Sequence, residues 1–153
     1  QGPRWLMDPQ WALASLLLMS FWGWGRTMVI FLAGLKSIPG EYYEAAAIDG
    51  AGGLRQFAAI TLPLLTPTIF FNLILSIIGT FQTFTSAFVA TDGGPLDATL
   101  FYVLYLYKQA FELRHMGYAS ALAWVLFAVV LALTVTVFRS QRRWVFYGGE
   151  REP

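Results

Sequence analysis

Cysteine is absent from this 153-residue chain and histidine occurs once. The first absence excludes a disulfide framework and any thiolate-held metal; the second leaves no pair of imidazoles for a metal site. Charge is scarce as well. Asp, Glu, Lys and Arg make up 12% of the residues, where a soluble domain carries about a quarter. The net charge is +1 and no long basic patch occurs, which excludes the electrostatic footprint of a nucleic-acid binder. No internal repeat or low-complexity tract is visible. What fills the chain instead is apolar: 57% hydrophobic and 17% aromatic residues, with a mean hydropathy of +0.56. That balance points to membrane lipid as the solvent.

A membrane helix needs about 20 mostly apolar residues to cross roughly 30 Å of hydrocarbon. Three runs qualify: "WALASLLLMSFWGWGRTMVIFLAGL" at Trp11–Leu35, "IFFNLILSIIGTFQTFTSAF" at Ile69–Phe88 with a start as early as Pro63, and "GYASALAWVLFAVVLALTVTVF" at Gly117–Phe138. Between the last two, "TLFYVLYLYKQAF" has a helical pattern, but Lys108 interrupts an apolar run too short to cross. It is expected as an interfacial or re-entrant helix with a belt of Tyr102, Tyr105 and Tyr107. The expected fold class is therefore an all-α integral membrane protein. Its transmembrane helices cover about 11–35, 63–88 and 117–138, and residues of about 36–60 form a half-polar connection.

Lys and Arg placement sets a direction. Lys36, Arg55, Arg139, Arg142, Arg143 and Arg151 fall on one side; Arg4, Lys108 and Arg114 fall on the other. The 36–60 connection and the C-terminal tail are thus expected in the cytoplasm. Arg26 lies inside the first run, where a central Arg costs roughly 2.5–3.5 kcal/mol to insert. Near the inner end it can snorkel to the interface. The other reading is a cation facing a substrate. The first apolar run has no signal-peptide features ahead of it, and the opening on Gln1 rather than Met suggests a fragment or a processed chain.

The 36–60 connection reads as two short helices. Ser37 is expected to cap the first, Pro39 to sit in its first turn, and Glu41 and Glu44 to complement its dipole. "YYEAAAI" continues it with Tyr42, Ala45 and Ala46 exposed, and Gly50, Gly52 and Gly53 permit a reversal. A second helix starts near Leu54, and Leu62–Pro63 is expected to bend the chain into the next span. A small-residue knob with an apolar edge suits a socket on another protein; a hairpin packed only on its own bundle is the plainer alternative.

Glu44-Ala45-Ala46, then Gly50, then Ile60, Leu62 and Pro63 carry a resemblance. This spacing is similar to the EAA signature of ABC-importer permeases and matches it in full. "IFLAGLKSIPGEYYEAAAIDGA", "GGP" at Gly93–Pro95, "YLYKQAF", "MGYASALAWVLF" and "RRWVFY" resemble the carbohydrate branch, the maltose-type and glycerol-phosphate-type permeases. The likeness covers essentially the whole chain and implies the C-terminal half of a six-span permease fold, a permease fragment over residues 1–153. It implies that the connection forms coupling helices seated in a cleft of a separate ATPase subunit. By position, Glu44, Ala45, Ala46 and Gly50 would make the contact, Asp49 would position the turn, and Leu62 and Pro63 would start the next span. The implied partners are a cytoplasmic ATPase subunit dimer, a second permease subunit, an extracytoplasmic solute-binding protein and a small-molecule sugar or polyol. The implied setting is a bacterial or archaeal cytoplasmic membrane. No cofactor and no enzymatic activity of the chain itself are expected.

Asn72, Ser76, Thr80 and Thr83 share one side of the second run, with Gln82 and Ser86 beside it. Such groups need partners inside a bundle or in a wet cavity. A row of neutral donors and acceptors suits a polyhydroxylated solute; hydrogen bonding between helices is the alternative, worth about 0.6 kcal/mol per contact. Thr85 stands where carbohydrate permeases often carry Asp. Gly117, Ala121, Ala128 and Ala132 give the third run a small-residue face fit for helix packing, a partner permease subunit included. Glu112 and His115 have the spacing of a di-iron ligand pair but lack a second such pair. "GLKS" at Gly34–Ser37 lacks the glycines of a phosphate-binding loop. A permease for a phosphate ester or amino acid, or an intramembrane enzyme or scaffold, are the remaining classes. The enzyme would need a catalytic pair that the sequence lacks.

Overall fold

The structure is a computed structural model that describes residues 4–146; Tyr147 and Arg151 lie outside the described residues. Those described residues form helices and turns with no strand. Helix α1 (Pro9–Ser20) opens with Asp8 as its N-cap, whose carboxylate accepts from Gln10 N–H at 3.0 Å, and with Pro9 at the first position. Both devices satisfy or remove an N–H that no helical carbonyl can reach. A 3₁₀ turn at Phe21–Gly23 leads into α2 (Trp24–Lys36). The pair forms a 28-residue run long and apolar enough to cross a membrane. Arg26 is exposed on α2.

Helix α3 spans Glu41–Ile48 and α4 spans Gly53–Gln56. A π turn at Phe57–Thr61 joins α4 to α5 (Leu62–Phe81). Gly53–Phe81 is thus one helical run of 29 residues. Leu62–Pro63 does not interrupt the helix, which runs through it without a break. In a regular helix the ring of Pro63 would press on the carbonyl four residues back. Here Leu62 N–H donates to Phe57 O, one residue further back, and the widened turn accommodates the ring. The second run also ends earlier than the expected Phe88. After Phe81 the Thr83 hydroxyl donates to Thr80 O at 3.0 Å, a local bond that competes with the helical ladder. The short α6 (Thr85–Ala90) then begins anew.

Helix α7 (Tyr102–Tyr107) continues through a π turn at Lys108–Glu112, and α8 (Met116–Trp144) is the third run long enough to cross. The tyrosines of the expected belt have separate partners. Tyr102 donates to Leu122 O at 2.8 Å, Tyr105 meets the Tyr118 ring edge-on, and Tyr107 packs on Phe84, Phe88 and Phe111.

The chain divides into two compact units. The first comprises Gln1–Gly23 and Ser76–Val135. Its core is Leu16, Ala87 and Leu104, covered by Phe84, Ala90, Leu100, Phe101 and Tyr107. The second comprises Trp24–Leu75 and Thr136–Pro153. Its packing centres on Phe70, which meets Phe138 and Trp144 edge-on at 5.2 and 6.0 Å between ring centroids. Gly34 permits the close approach of α2 and α5: a Cβ there would stand 2.7 Å from Thr68 Oγ1.

Candidate functional site

The connection between α2 and α5 is a closed hairpin, and its closure is built from backbone. Asp49 N–H reaches Ala45 O at 3.1 Å, Gly50 N–H reaches Ala47 O at 3.0 Å, and Ala51 N–H reaches Ala46 O at 2.9 Å. The last two bonds, around a residue at φ +75°, are the Schellman ending of a helix, which satisfies carbonyls that α3 would otherwise leave open. Gly50 is that residue, so the glycine four residues after Ala46 is explained by backbone conformation. Gln56 Nε2 donates to Ala51 O at 2.9 Å, holding α4 to the turn. Lower down, the Tyr43 hydroxyl and Thr61 Oγ1 lie 2.9 Å apart.

The start of α3 differs from expectation. Its N-cap is Gly40, with no side-chain cap bond, and Pro39 precedes the helix. Ser37 instead donates its hydroxyl to Gly34 O at 2.7 Å, finishing α2. Pro39 explains this, since the residue before a proline avoids helical conformation and separates Ser37 from the next helix. Glu41 and Glu44 do occupy the first turn, at the positive end of the dipole.

The hairpin has two sides. Tyr43 and Ala46 are half-buried. Glu44, Ala45, Asp49 and Gly50 are exposed, and so are Tyr42, Ile48, Leu54 and Phe57. Ile48 is 88% and Leu54 85% exposed, an apolar rim on either side of the turn. Leu62 and Pro63 stand within the continuous helix, Leu62 exposed and Pro63 half-buried.

The polar residues of the second run do not share one environment. Asn72 is buried and donates to Thr68 O at 2.9 Å, a bond inside its own helix. Ser76 and Thr80 are exposed. Gln82 and Thr83 fall beyond α5, and Thr83 spends its hydroxyl on the helix end. Ser86 is exposed on α6. The face of Gly117, Ala121, Ala128 and Ala132 is exposed along α8. His115 Nδ1 lies 3.1 Å from Gln109 Oε1, a contact outside any ligand set.

Two clusters were not legible beforehand. In the first unit, Thr99 is fully buried; its hydroxyl lies 2.6 Å from that of Thr91 and donates to Gly94 O at 2.8 Å. Beside it, Lys108 Nζ donates to Asp92 O at 2.7 Å and pairs with Asp92 Oδ1 at 3.1 Å. In the second unit, Thr66 is buried between Pro63 O and Phe146 N–H. The only advance signal was a threonine next to Gly-Gly-Pro and another between two prolines.

Long apolar helices with little of their surface buried, joined through a closed and apolar-rimmed hairpin, define a multi-pass helical membrane protein. The chain belongs to the family described as "Binding-protein-dependent transport system inner membrane component", which matches residues 4–145. It is 49% identical over 150 residues to "Probable ABC transporter permease protein YesP" of Bacillus subtilis, covering 97% of this chain and 48% of that protein. It is 40% identical over 140 residues to the sulfoquinovosyl glycerol transport system permease protein SmoG of Agrobacterium fabrum, covering 91% and 46%. It is 37% identical over 142 residues to the lactose transport system permease protein LacF of Rhizobium radiobacter, covering 90% and 48%. The chain thus spans about half the length of these curated relatives.

Proposed function

We propose that the chain is part of the membrane-spanning permease of an ATP-driven importer for a sugar or related polyol, and that the α3–α4 hairpin couples it to a separate ATPase subunit. The observation that carries this is the hairpin itself: a turn locked by backbone bonds around Gly50, presenting Tyr42, Ala45, Ile48, Leu54 and Phe57 to the outside. A rigid knob with an apolar rim loses little conformational freedom when it enters a socket. In this reading Glu44, Ala45, Ala46, Asp49 and Gly50 form the contact, and Leu62–Pro63 carry its displacement into α5. The hairpin and the C-terminal tail face the cytoplasm, in keeping with their Lys and Arg content. The substrate class follows the relatives, two of which are named for a sugar or a sugar conjugate. Ser76, Thr80 and Gln82, being exposed neutral groups, are the members of the polar row available to a solute. A second permease subunit would cover the small-residue face of α8, and a solute-binding protein would deliver the solute from outside.

A single thiol tests the coupling, because the chain has no cysteine of its own. Ile48→Cys is placed in the full-length subunit and assembled with its ATPase. The expected result is a site-specific crosslink to the ATPase whose yield differs between nucleotide-free and ATP-bound states. A thiol that reacts from solvent yet crosslinks to no ATPase in any state overturns the coupling. Stimulation of ATP hydrolysis by phosphorylated ligands but by no neutral sugar or polyol overturns the substrate class.

A further inference from the structure

Pro67 sits inside α5 and has no N–H, so the carbonyl four residues back, that of Pro63, loses its helical donor. Thr66 supplies the replacement: its hydroxyl lies 2.6 Å from Pro63 O. The same oxygen lies 2.8 Å from Phe146 N, a residue eighty positions away. Phe146 N–H can only donate and Pro63 O can only accept, so the direction is fixed. The proton of Phe146 N–H points to Thr66 Oγ1, and the single hydroxyl proton of Thr66 points to Pro63 O. One hydroxyl oxygen of a residue only 9% exposed serves both contacts.

The surroundings close the same joint. One turn beyond Thr66, Phe70 receives the ring edges of Phe138 and Trp144 from the last turns of α8. Trp144 Nε1 donates to Ser140 Oγ at 3.1 Å, and Ser140 donates to Val137 O at 2.8 Å, which orients the indole against Phe70. On the other side of the joint lie the π turn and Thr61, whose hydroxyl meets Tyr43 of α3. The helix backbone from Thr61 to Thr66 therefore joins the hairpin contact at Tyr43 to the contact with the C-terminal segment at Phe146.

We propose that Thr66 is a positioning residue for coupling: its hydroxyl straps the C-terminal segment to the proline-containing root of the hairpin, so that segment and hairpin move as one body. The proposal rests on the coupling reading of the hairpin. Its direct consequence is a distance. Spin labels at Ile48→Cys and Arg143→Cys, both exposed positions, report the separation of hairpin and tail in the full-length subunit assembled with its ATPase. The separation should be narrow and constant to within about 2 Å, the scale of a small helix shift, between nucleotide-free and ATP–vanadate states. Thr66→Val, which keeps the shape and deletes the hydroxyl, should broaden it or shift it by about 5 Å, one helical turn. Thr66→Ser should restore the narrow distribution. Phe146→Pro, which removes the N–H donor together with the ring, should reproduce the Thr66→Val result, where Phe146→Ala, which keeps the N–H, stays narrow. The pair supplies the reading if Thr66→Val fails to assemble. A wild-type separation that changes with nucleotide, a Thr66→Val distribution as narrow as wild type, or a Thr66→Ser distribution as broad as Thr66→Val each overturns the strap. Constant separation together with loss of the Ile48→Cys crosslink to the ATPase would instead leave the strap standing and remove the coupling reading.

Discussion

The hairpin around Gly50 and the loop around Gly93 are both glycine-bearing turns between helices, and they differ in how far side chains help to hold them. At Gly50 the closing bonds run from backbone to backbone, and the neighbouring side chains Ile48 and Leu54 are left outside. Between Thr91 and Leu100 backbone bonds, among them Gly94 N–H to Thr91 O and Thr99 N–H to Gly93 O, are joined by side chains: the Thr91 and Thr99 hydroxyls and the ammonium of Lys108. A turn closed by backbone keeps its shape while its side chains remain open to a partner. A turn that adds side-chain bonds to its backbone ones uses those side chains internally and draws part of its stability from them. The first arrangement suits a surface that must fit another protein, the second a segment that must hold its own fold.

The contrast can be broken at its most sensitive point by Gly50→Val. A β-branched residue at φ +75° costs about 3 kcal/mol, the upper end for a strained backbone. Solute uptake by proteoliposomes holding the full assembly should fall at least about tenfold, the factor that 1.4 kcal/mol represents. Uptake near wild type would show that the closed turn is dispensable.

Thr99→Val tests the other region. The substitution preserves volume but strips Gly94 O of its side-chain donor, while the Thr91 hydroxyl keeps its bond to Ala87 O. A loss of about 2 kcal/mol follows, the penalty of leaving such a group unsatisfied. It should register as a lower midpoint in thermal unfolding of the detergent-solubilised subunit. An unchanged midpoint would mean that the backbone bonds alone hold the loop, erasing the difference between the two turns.

The smallest effect belongs to Lys108→Met. Asp92 is 62% exposed at its side chain and Lys108 25%, so the pair is screened by solvent. Its removal should cost less than about 1 kcal/mol and less still at high salt. A salt-independent loss several times larger would relocate the loop's main support from the buried threonines to the ion pair.

How much was legible beforehand differs by element. The three apolar runs were, because roughly 20 apolar residues admit few other fates. Gly50 was readable as a reversal, and Glu41 and Glu44 as the acidic first turn of a helix, since both depend on residues within one turn. Ser37 was misassigned because a hydroxyl between two helices can finish one or start the other, and only the placement of Pro39 at the boundary settles it. The polar row from Asn72 to Thr83 fits one face of one helix by its spacing, yet spacing alone does not reveal that α5 stops at Phe81 or that Asn72 and Thr83 bond to their own backbone.

Periodicity and composition settled the helical class, the three long apolar runs and the position of the tight reversal, because each follows from neighbours within a few residues. The unbroken passage of the helix through Pro63, the burial of Thr99 and the meeting of Thr66 with Phe146 depend on groups that only folding brings together. The physical reason is that a single hydroxyl has one proton and lone pairs on offer to any neighbour, and its partners are chosen by packing rather than by sequence distance.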